Sequence, residues 1–417
     1  MIVFKFGGAS VKDSSGVKNL LKIVKTYSEN LVIVVSALGK TTNALENVLK
    51  LSFKDIQESK LQFEKLKEYH FQIINDLFNN QDQKIVDGIN NDFEKLYTIL
   101  FKSEIIDYNY KYDQVVSFGE IFSTKIVSTY LNKENLENCW VDIREIIRTD
   151  STHREAKVDY IKTTKEAIKE FDFNKSKIYL TQGFIGGTED GSVTTLGREG
   201  SDYTAAVLAN VLNAANVTVW KDVDGVLNAD PQYFSETQKL NKLSYQESVE
   251  LAYFGAKVIH PKTLKPLHNK NIPLHVRSFI NTKDEGTIIH CFKEYDQDLP
   301  IFILKKEQVL ISLFPKDLSF IIEDELSKIF KYLSEHRIKV NLIQNSAISI
   351  SFCIDNYNST VKTLVDHLKE DFKVLYNDQL ELLTIRHYTP ESINKVTLGR
   401  KIYIDQRSRH TAHFVIK

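Results

Sequence analysis

Hydrophobic positions change texture three times along the chain. Over the first 45 residues, short apolar runs at Ile2–Phe6 and Leu31–Val35 alternate with polar segments of helical character, the pattern of β-α-β units and hence of parallel strands. From residue 51 to 112 the chain turns rich in Lys, Glu, Phe, Leu and Ile. There Leu61, Lys65, Leu66, Tyr69, Ile73 and Leu77 mark a helical period, which predicts a helical insert. The stripe drifts and breaks at Asn79-Asn80-Gln81 and Gly88, so it lacks the sustained heptads of a coiled coil. Strand-like runs return at Ile178–Leu180, Val217–Trp220 and Leu274–Val276.

This first domain is expected to close near residue 296, and Asp296-Gln297-Asp298-Leu299-Pro300 reads as a linker. Beyond it the pattern becomes strand (309–314), helix (323–336), strands (340–344 and 347–354), helix (359–370) and strand (374–376). That is a βαββαβ unit over 301–378. A partial second copy follows over 379–417: a strand at 381–387, a short helix at 390–396, and strands at 401–405 and 410–416. The second copy is either truncated or borrows a surface from another element or another chain.

Composition narrows the class. A chain of 417 residues exceeds the usual size of one core, and a hydrophobic fraction of 42% supports two or three. Lys+Arg 54 against Asp+Glu 55 gives no summed charge to draw nucleic acid or an acidic membrane. Cys139, Cys291 and Cys353 are too few and too scattered for a disulfide framework or a zinc site. With no signal-peptide pattern and no apolar run near 18 residues, the expectation is a soluble cytoplasmic protein.

Candidate chemistry collects in a few blocks. The Ile2–Phe6 run feeds Gly7-Gly8, then Ala9-Ser10 and a segment able to start a helix. Backbone N–H groups at such a turn can converge on a phosphate with Lys5 as a mobile cation beside them, or the segment is an ordinary strand-to-helix turn. In Thr195 to Thr204 two glycines flank Arg198 ahead of an alanine-rich helix at 205–215. Arg198 can clasp a carboxylate with two hydrogen bonds, or it is a surface residue with Ser201 or Asp202 a plain helix cap. The block from Trp220 to Pro231 sets Asp222, Asp224 and Asp230 on a loop after a strand, but without the ligand spacing of a calcium loop. Lys257 stands beside Gly255, which on its own reads as a left-handed helix end, and Glu120 follows Ser117-Phe118-Gly119. Gly39-Lys40-Thr41 lacks the first glycine of a phosphate loop, and His410 and His413 fit alternation along a terminal strand.

Taken in order, Lys5 to Val11, Val34 to Ala37, Thr42-Asn43, Ser117 to Glu120, Gly197 to Thr204, Lys221 to Pro231 and Phe254 to Pro261 resemble the aspartokinases of the amino-acid kinase family. The tail resembles their ACT regulatory modules. The resemblance implies a three-layer α/β/α sandwich with a mainly parallel sheet, followed by α+β ACT-like modules. It implies ATP-dependent phosphorylation of the L-aspartate side chain to 4-phospho-L-aspartate, the first step toward lysine, threonine and methionine. ATP and Mg2+ follow, as do a homodimer or larger assembly and feedback by lysine or threonine.

By position in those motifs, Lys5 and Lys257 would meet the phosphates, with Gly7, Gly8, Ala9 and Ser10 cradling the transferred group. Asp202 would fix Lys5 or the transfer geometry. Arg198, with Gly200 and Ser201, would hold the α-carboxylate, Glu120 the α-ammonium, and Ser36 and Thr42 would add hydrogen bonds. Lys221, Asp222, Leu227, Asp230 and Val258 would line the nucleotide, and the metal would rest on phosphates and water. The chain departs from the pattern at Ala9, Leu227 and Gln232, where threonine, tyrosine and arginine are usual. It shows no region for a fused homoserine dehydrogenase, so a monofunctional enzyme is expected. Another amino-acid kinase, such as one for glutamate, or an inactive amino-acid sensor, are the alternatives.

Overall fold

The computed structural model describes the chain except residues 80, 81, 106, 257, 258, 293–298, 318, 319, 322, 357 and 358. Lys257, Val258 and most of the expected linker therefore lie outside the described residues. The chain divides into two compact units. One holds Met1–Val226, Lys239–Val249 and Val258–Glu294; the other holds Leu227–Gln238, Glu250–Lys257 and Tyr295–Lys417.

The first unit is built on an eight-stranded sheet. From one edge to the other its strands are Lys242–Ser244, Thr287–His290, Leu274–Ser278, Val217–Lys221, Ile2–Phe6, Leu31–Val35, Ile178–Gln182 and Cys139–Val141. All neighbours run parallel except Leu274–Ser278 with Thr287–His290. The central strands Ile2–Phe6 and Leu31–Val35 are buried at every position, which is why they read as continuous apolar runs. Alternation splits Ile2–Phe6 between two faces. Ile2, Phe4 and Phe6 join a core with Val17, Leu20 and Leu21 of the helix Ser14–Val24. Val3 and Lys5 face the other way, where the helix Gly200–Val211 brings the small side chains Ala205, Ala206 and Ala209.

The expected insert is made of the helices Ile56–Phe78 and Gln83–Phe101, packed through Phe63, Ile73, Leu77, Phe93 and Leu96 into the same core as the sheet. They lead into a 26-residue helix, Tyr108–Lys133, buried on almost every side. Such a helix carries no apolar stripe, so the 3.6-residue period that revealed its neighbours is missing.

In the second unit the strand expectations need correction. Residues 301–308 were not expected to be strand, and 374–376 and 381–387 were expected to be separate strands. Instead two 15-residue strands, Ile301–Pro315 and Phe372–Arg386, pair antiparallel along their lengths. Leu310–Pro315 lies against Phe372–Asn377 and Ile301–Lys305 against Leu382–Arg386, with irregularities around Gln308. Glu307 and Gln379, both at φ 54, mark where each strand bends. The sheet order is Val340–Ser346, Ser349–Asp355, Ile301–Pro315, Phe372–Arg386, Thr411–Ile416, Ile402–Arg407.

Helices Glu323–Glu335 and Ser359–Asp371 cover one half through Ile329, Leu333, Leu364 and Leu368. The helix Pro390–Thr397 covers the other through Ile393, set against Ile385, Phe414 and Ile416. The C-terminal strands thus borrow their fourth neighbour, Ile301–Lys305, from the beginning of the unit. Among the described residues no helix is long and apolar enough to cross a membrane.

Candidate active site

Phe6 is in register with both Val35 and Trp220, so the carboxyl ends of three central parallel strands lie side by side. Open α/β sheets bind ligands at that edge. Here it opens on a cavity of about 620 Å³.

At one side of the cavity is the Gly7-Gly8 turn. A Cβ on Gly8 would sit 2.5 Å from the Gly39 carbonyl oxygen and 2.7 Å from that of Ala37, so only glycine permits the approach. A Cβ on Gly7 would meet Lys5 Nζ at 3.4 Å, in the space in front of the ammonium. The helix expected from the polar segment after Ser10 starts four residues beyond it. Gly8–Val11 is a single 3-10 turn, and the α-helix begins at Ser14 with Asp13 Oδ1 accepting from Gly16 N at 2.8 Å. Any anion at this turn meets local N–H groups, not a long helix dipole. Ala9, Ser10, Lys221 and Asp222 line the same cavity.

Lys5 reaches the helix Gly200–Val211, where its Nζ lies 2.6 Å from Asp202 Oδ1. Lys221 Nζ is 4.0 Å from the other carboxylate oxygen. Burial alone would push the Asp202 carboxyl up, but the two lysine cations outweigh it and hold it below its ordinary value. The helix starts five residues earlier than the expected 205 and ends at Val211. Ser201 and Asp202 therefore occupy its first turn and cap nothing. The capping position is Glu199 at φ 53, whose carboxylate accepts from His260 N at 2.9 Å.

Ser36, Thr42, Glu120, Arg198, Gly200 and Ser201 line the same cavity. Glu120 sits in the middle of Tyr108–Lys133, not at a helix start. Its Oε1 accepts from Ala37 N at 3.4 Å, and Oε2 has no hydrogen-bond partner among the described residues. Burial pushes the carboxyl up to about 8. A buried carboxylate with an unused oxygen suits an incoming ammonium. Arg198 is exposed on the loop before the helix, 78 residues of sequence from Glu120, yet it shares this cavity with it.

Of the remaining expected residues, Leu227 and Asp230 do not line the cavity and belong to the second unit, where Asp230 Oδ1 caps a turn by accepting from Gln232 N at 2.9 Å. Gly255 ends the helix Tyr245–Phe254 at φ 109, the left-handed end foreseen for it. The cavity also draws in Tyr112, Arg154 and Phe184, which no motif flagged, and Asn43 and Glu199, which lay in the blocks without a role of their own. Trp220 lines it as well, its ring stacked on Phe6 with centroids 6.0 Å apart and planes 3° apart. Trp220 is the last buried residue of the strand Val217–Lys221 and opens the block noted in the sequence, which gave it no role of its own.

An amino acid kinase family model matches residues 1–278. Lysine-sensitive aspartokinase 3 of Escherichia coli is 31% identical over 86% of this chain and 79% of its own length. Aspartokinase 1 of Arabidopsis thaliana is 31% identical over 89% of this chain and 67% of its own. The chain spans only 33% of a bifunctional aspartokinase/homoserine dehydrogenase of Arabidopsis, to which it is 34% identical. The crystal structure of E. coli aspartokinase III with lysine and aspartate superposes with a TM-score of 0.83 at 27% identity, covering 100% of this chain and 95% of that one. The same enzyme with aspartate and ADP gives 0.82. The mainly parallel sheet, the glycine turn at its carboxyl edge and the length of these matches agree: the chain belongs to the amino acid kinase family, among its aspartokinases.

Proposed function

We propose that the protein transfers the γ-phosphoryl group of ATP to the side-chain carboxylate of L-aspartate, giving 4-phospho-L-aspartate. The observation that carries this reading is one cavity lined by a glycine turn with Lys5 and by Glu120 and Arg198 together. The opposed charges match the ammonium and α-carboxylate of an amino acid and leave its side chain directed at the turn. E. coli aspartokinase III has been crystallised with aspartate and ADP, which supports the same pairing of substrates here.

The acceptor carboxylate, with an ordinary pKa near 4, is already ionised at neutral pH, so no general base is needed. Catalysis reduces to holding two anions in line and neutralising the charge that spreads over the phosphoryl oxygens. Lys5 supplies a cation at the turn, and Asp202 holds that cation in place from a buried helix start. Lys221 stands on the same side and, by motif position, Lys257 would add a third positive charge. Glu120 binds the ammonium as a carboxylate, which requires it to lose its proton when substrate enters.

Among the described residues no group of three His, Cys, Asp or Glu side chains could grip an ion alone, and Asp202 is engaged by two lysines. The donor set therefore fits Mg2+ carried in on the ATP phosphates, where it supplies charge neutralisation. The second unit is read as a pair of ACT-like modules that join two copies of the chain and bind a feedback amino acid. Lysine is the first candidate, because aspartokinase III crystallised with it in a T state, and threonine the second. A cytoplasmic setting belongs to the same reading. ADP release assayed with aspartate, glutamate and UMP in turn tests the proposal; turnover only with glutamate or UMP would overturn it.

A further inference from the structure

Arg154 holds a backbone conformation that costs energy and has no role in the motifs. Its φ is 71, in the left-handed region where side chains other than glycine are disfavoured. The conformation is imposed from below. The Arg154 N–H donates to both oxygens of Asp113, at 3.2 and 3.0 Å. Asp113 is fully buried and also accepts from Thr195 Oγ1 at 2.6 Å. A pinned, strained residue whose side chain is a long cation points to function for that side chain, because glycine would satisfy the backbone at lower cost.

The guanidinium is held by stacking, not by a closed ion pair. It lies 4.3 Å above the Tyr112 ring and 5.9 Å from that of Tyr108. The nearest carboxylate oxygen, on Glu46, is 3.7 Å away, beyond hydrogen-bond reach, and Lys50 already engages it at 2.8 Å. Stacking fixes the plane of the guanidinium, and its contacts with Tyr112 and Glu46 leave further N–H groups of its five-donor fork for a ligand. Arg154 and Tyr112 line the same cavity as Thr42, Glu120 and Arg198. The Arg154 carbonyl oxygen also lies 3.3 Å from where a Cβ on Gly197 would stand, so the two arginine-bearing loops touch.

We infer that Arg154 is a second carboxylate-binding arginine of the acceptor site, sharing the substrate α-carboxylate with Arg198. This rests on the reading of the cavity as an aspartate site. Two guanidiniums on one carboxylate and one carboxylate on the ammonium select a free α-amino acid over a peptide or an amide-capped analogue. Arg154 touches substrate at a group remote from the transferred phosphoryl, so its loss acts on binding, not on the chemical step.

The test is steady-state kinetics of wild type, Arg154→Ala, Arg154→Gly and Arg154→Lys, with aspartate and ATP varied separately and melting followed in parallel. Loss of a charge-assisted hydrogen bond predicts a KM for aspartate about tenfold higher in the alanine and glycine variants. The KM for ATP stays within about twofold, and lysine restores the aspartate KM only in part, since it cannot form the paired contact. Arg154→Gly relieves the backbone, so its melting temperature equals or exceeds that of wild type, and its kinetics are not those of a damaged fold. An aspartate KM in Arg154→Gly within twofold of an active wild type would overturn the inference and leave the aspartokinase reading intact. A wild type without aspartate-dependent turnover would remove both.

Discussion

Lys5 and Asp202 form a buried ion pair, Nζ to Oδ1 at 2.6 Å, between a central strand and the first turn of a helix nearly 200 residues later in the chain. The two side chains are 11% and 4% exposed, so neither charge is compensated by water if the other is removed. Replacing Lys5 by methionine leaves Asp202 with only the more distant Lys221. Breaking a buried pair from one side costs on the order of 3 kcal/mol in stability. Loss of a cation that stabilises the transferred group should lower kcat by about 100-fold or more. Chemical denaturation and single-turnover rates measure the two effects separately.

The same pair sets an acid limit. The Asp202 carboxyl is held below its ordinary value in the fold, so its stabilisation is complete above the unfolded value near 3.8 and is lost as pH falls through the folded one. Asp202→Asn should flatten the acid side of the stability profile below about pH 4, at the expense of activity at every pH. An acid unfolding curve unchanged by the substitution would contradict the assignment.

Glu120 carries the opposite sign. With its carboxyl pushed up to about 8 by burial, the folded protein keeps the proton that the unfolded chain loses from about pH 4.5 upward. Folding stability contributed by this site therefore declines as pH rises from that value to about 8, and Glu120→Gln should remove the decline. Aspartate binding runs the other way, because the ammonium requires the ionised form. The KM for aspartate should fall by up to about tenfold per pH unit on approaching pH 8, and lose that dependence in Glu120→Gln, where it is high throughout.

His70 is a neutral imidazole inside the helical layer. Burial lowers its pKa to about 4, Nδ1 donates to the Leu66 carbonyl at 2.8 Å, and the ring packs edge-on to Phe93 and Phe122. The unfolded chain takes up a proton here below about pH 6.5. Stability should thus fall between pH 6.5 and about 4, and His70→Gln should be less acid-sensitive in that window. Melting temperatures at pH 7, 5.5 and 4.5 give the comparison.

Much of this site could be read from the chain, and the reasons differ by residue. The glycine turn with Lys5 is visible locally, but paired glycines after a strand are common, so its meaning as a phosphate site comes only with the other blocks. Arg198 and Glu120 became legible only through the order of the blocks. Nothing local marks Glu120, because a helix buried all round has no stripe to place it on. Arg154 left no trace: a φ of 71 at a non-glycine residue depends on Asp113, 41 positions away. In the second unit the sequence pattern starts the first strand only at Val309, after the polar run Lys305-Lys306-Glu307-Gln308. The strand continues through it because buried Gln308 finds partners across the sheet, donating to Asp355 Oδ1 at 2.8 Å and accepting from Asn341 Nδ2 at 2.9 Å. Polar satisfaction of that kind comes from other strands and has no local signature.

The most direct test of the central claim is the aspartate dependence of ADP release by the purified chain with MgATP, set beside Lys5→Met. The account predicts ADP and a hydroxylamine-trapped acyl phosphate in equal amounts with aspartate, neither with glutamate or UMP, and loss of both in Lys5→Met. Wild-type ADP release that is indifferent to aspartate, or that survives Lys5→Met, would contradict it.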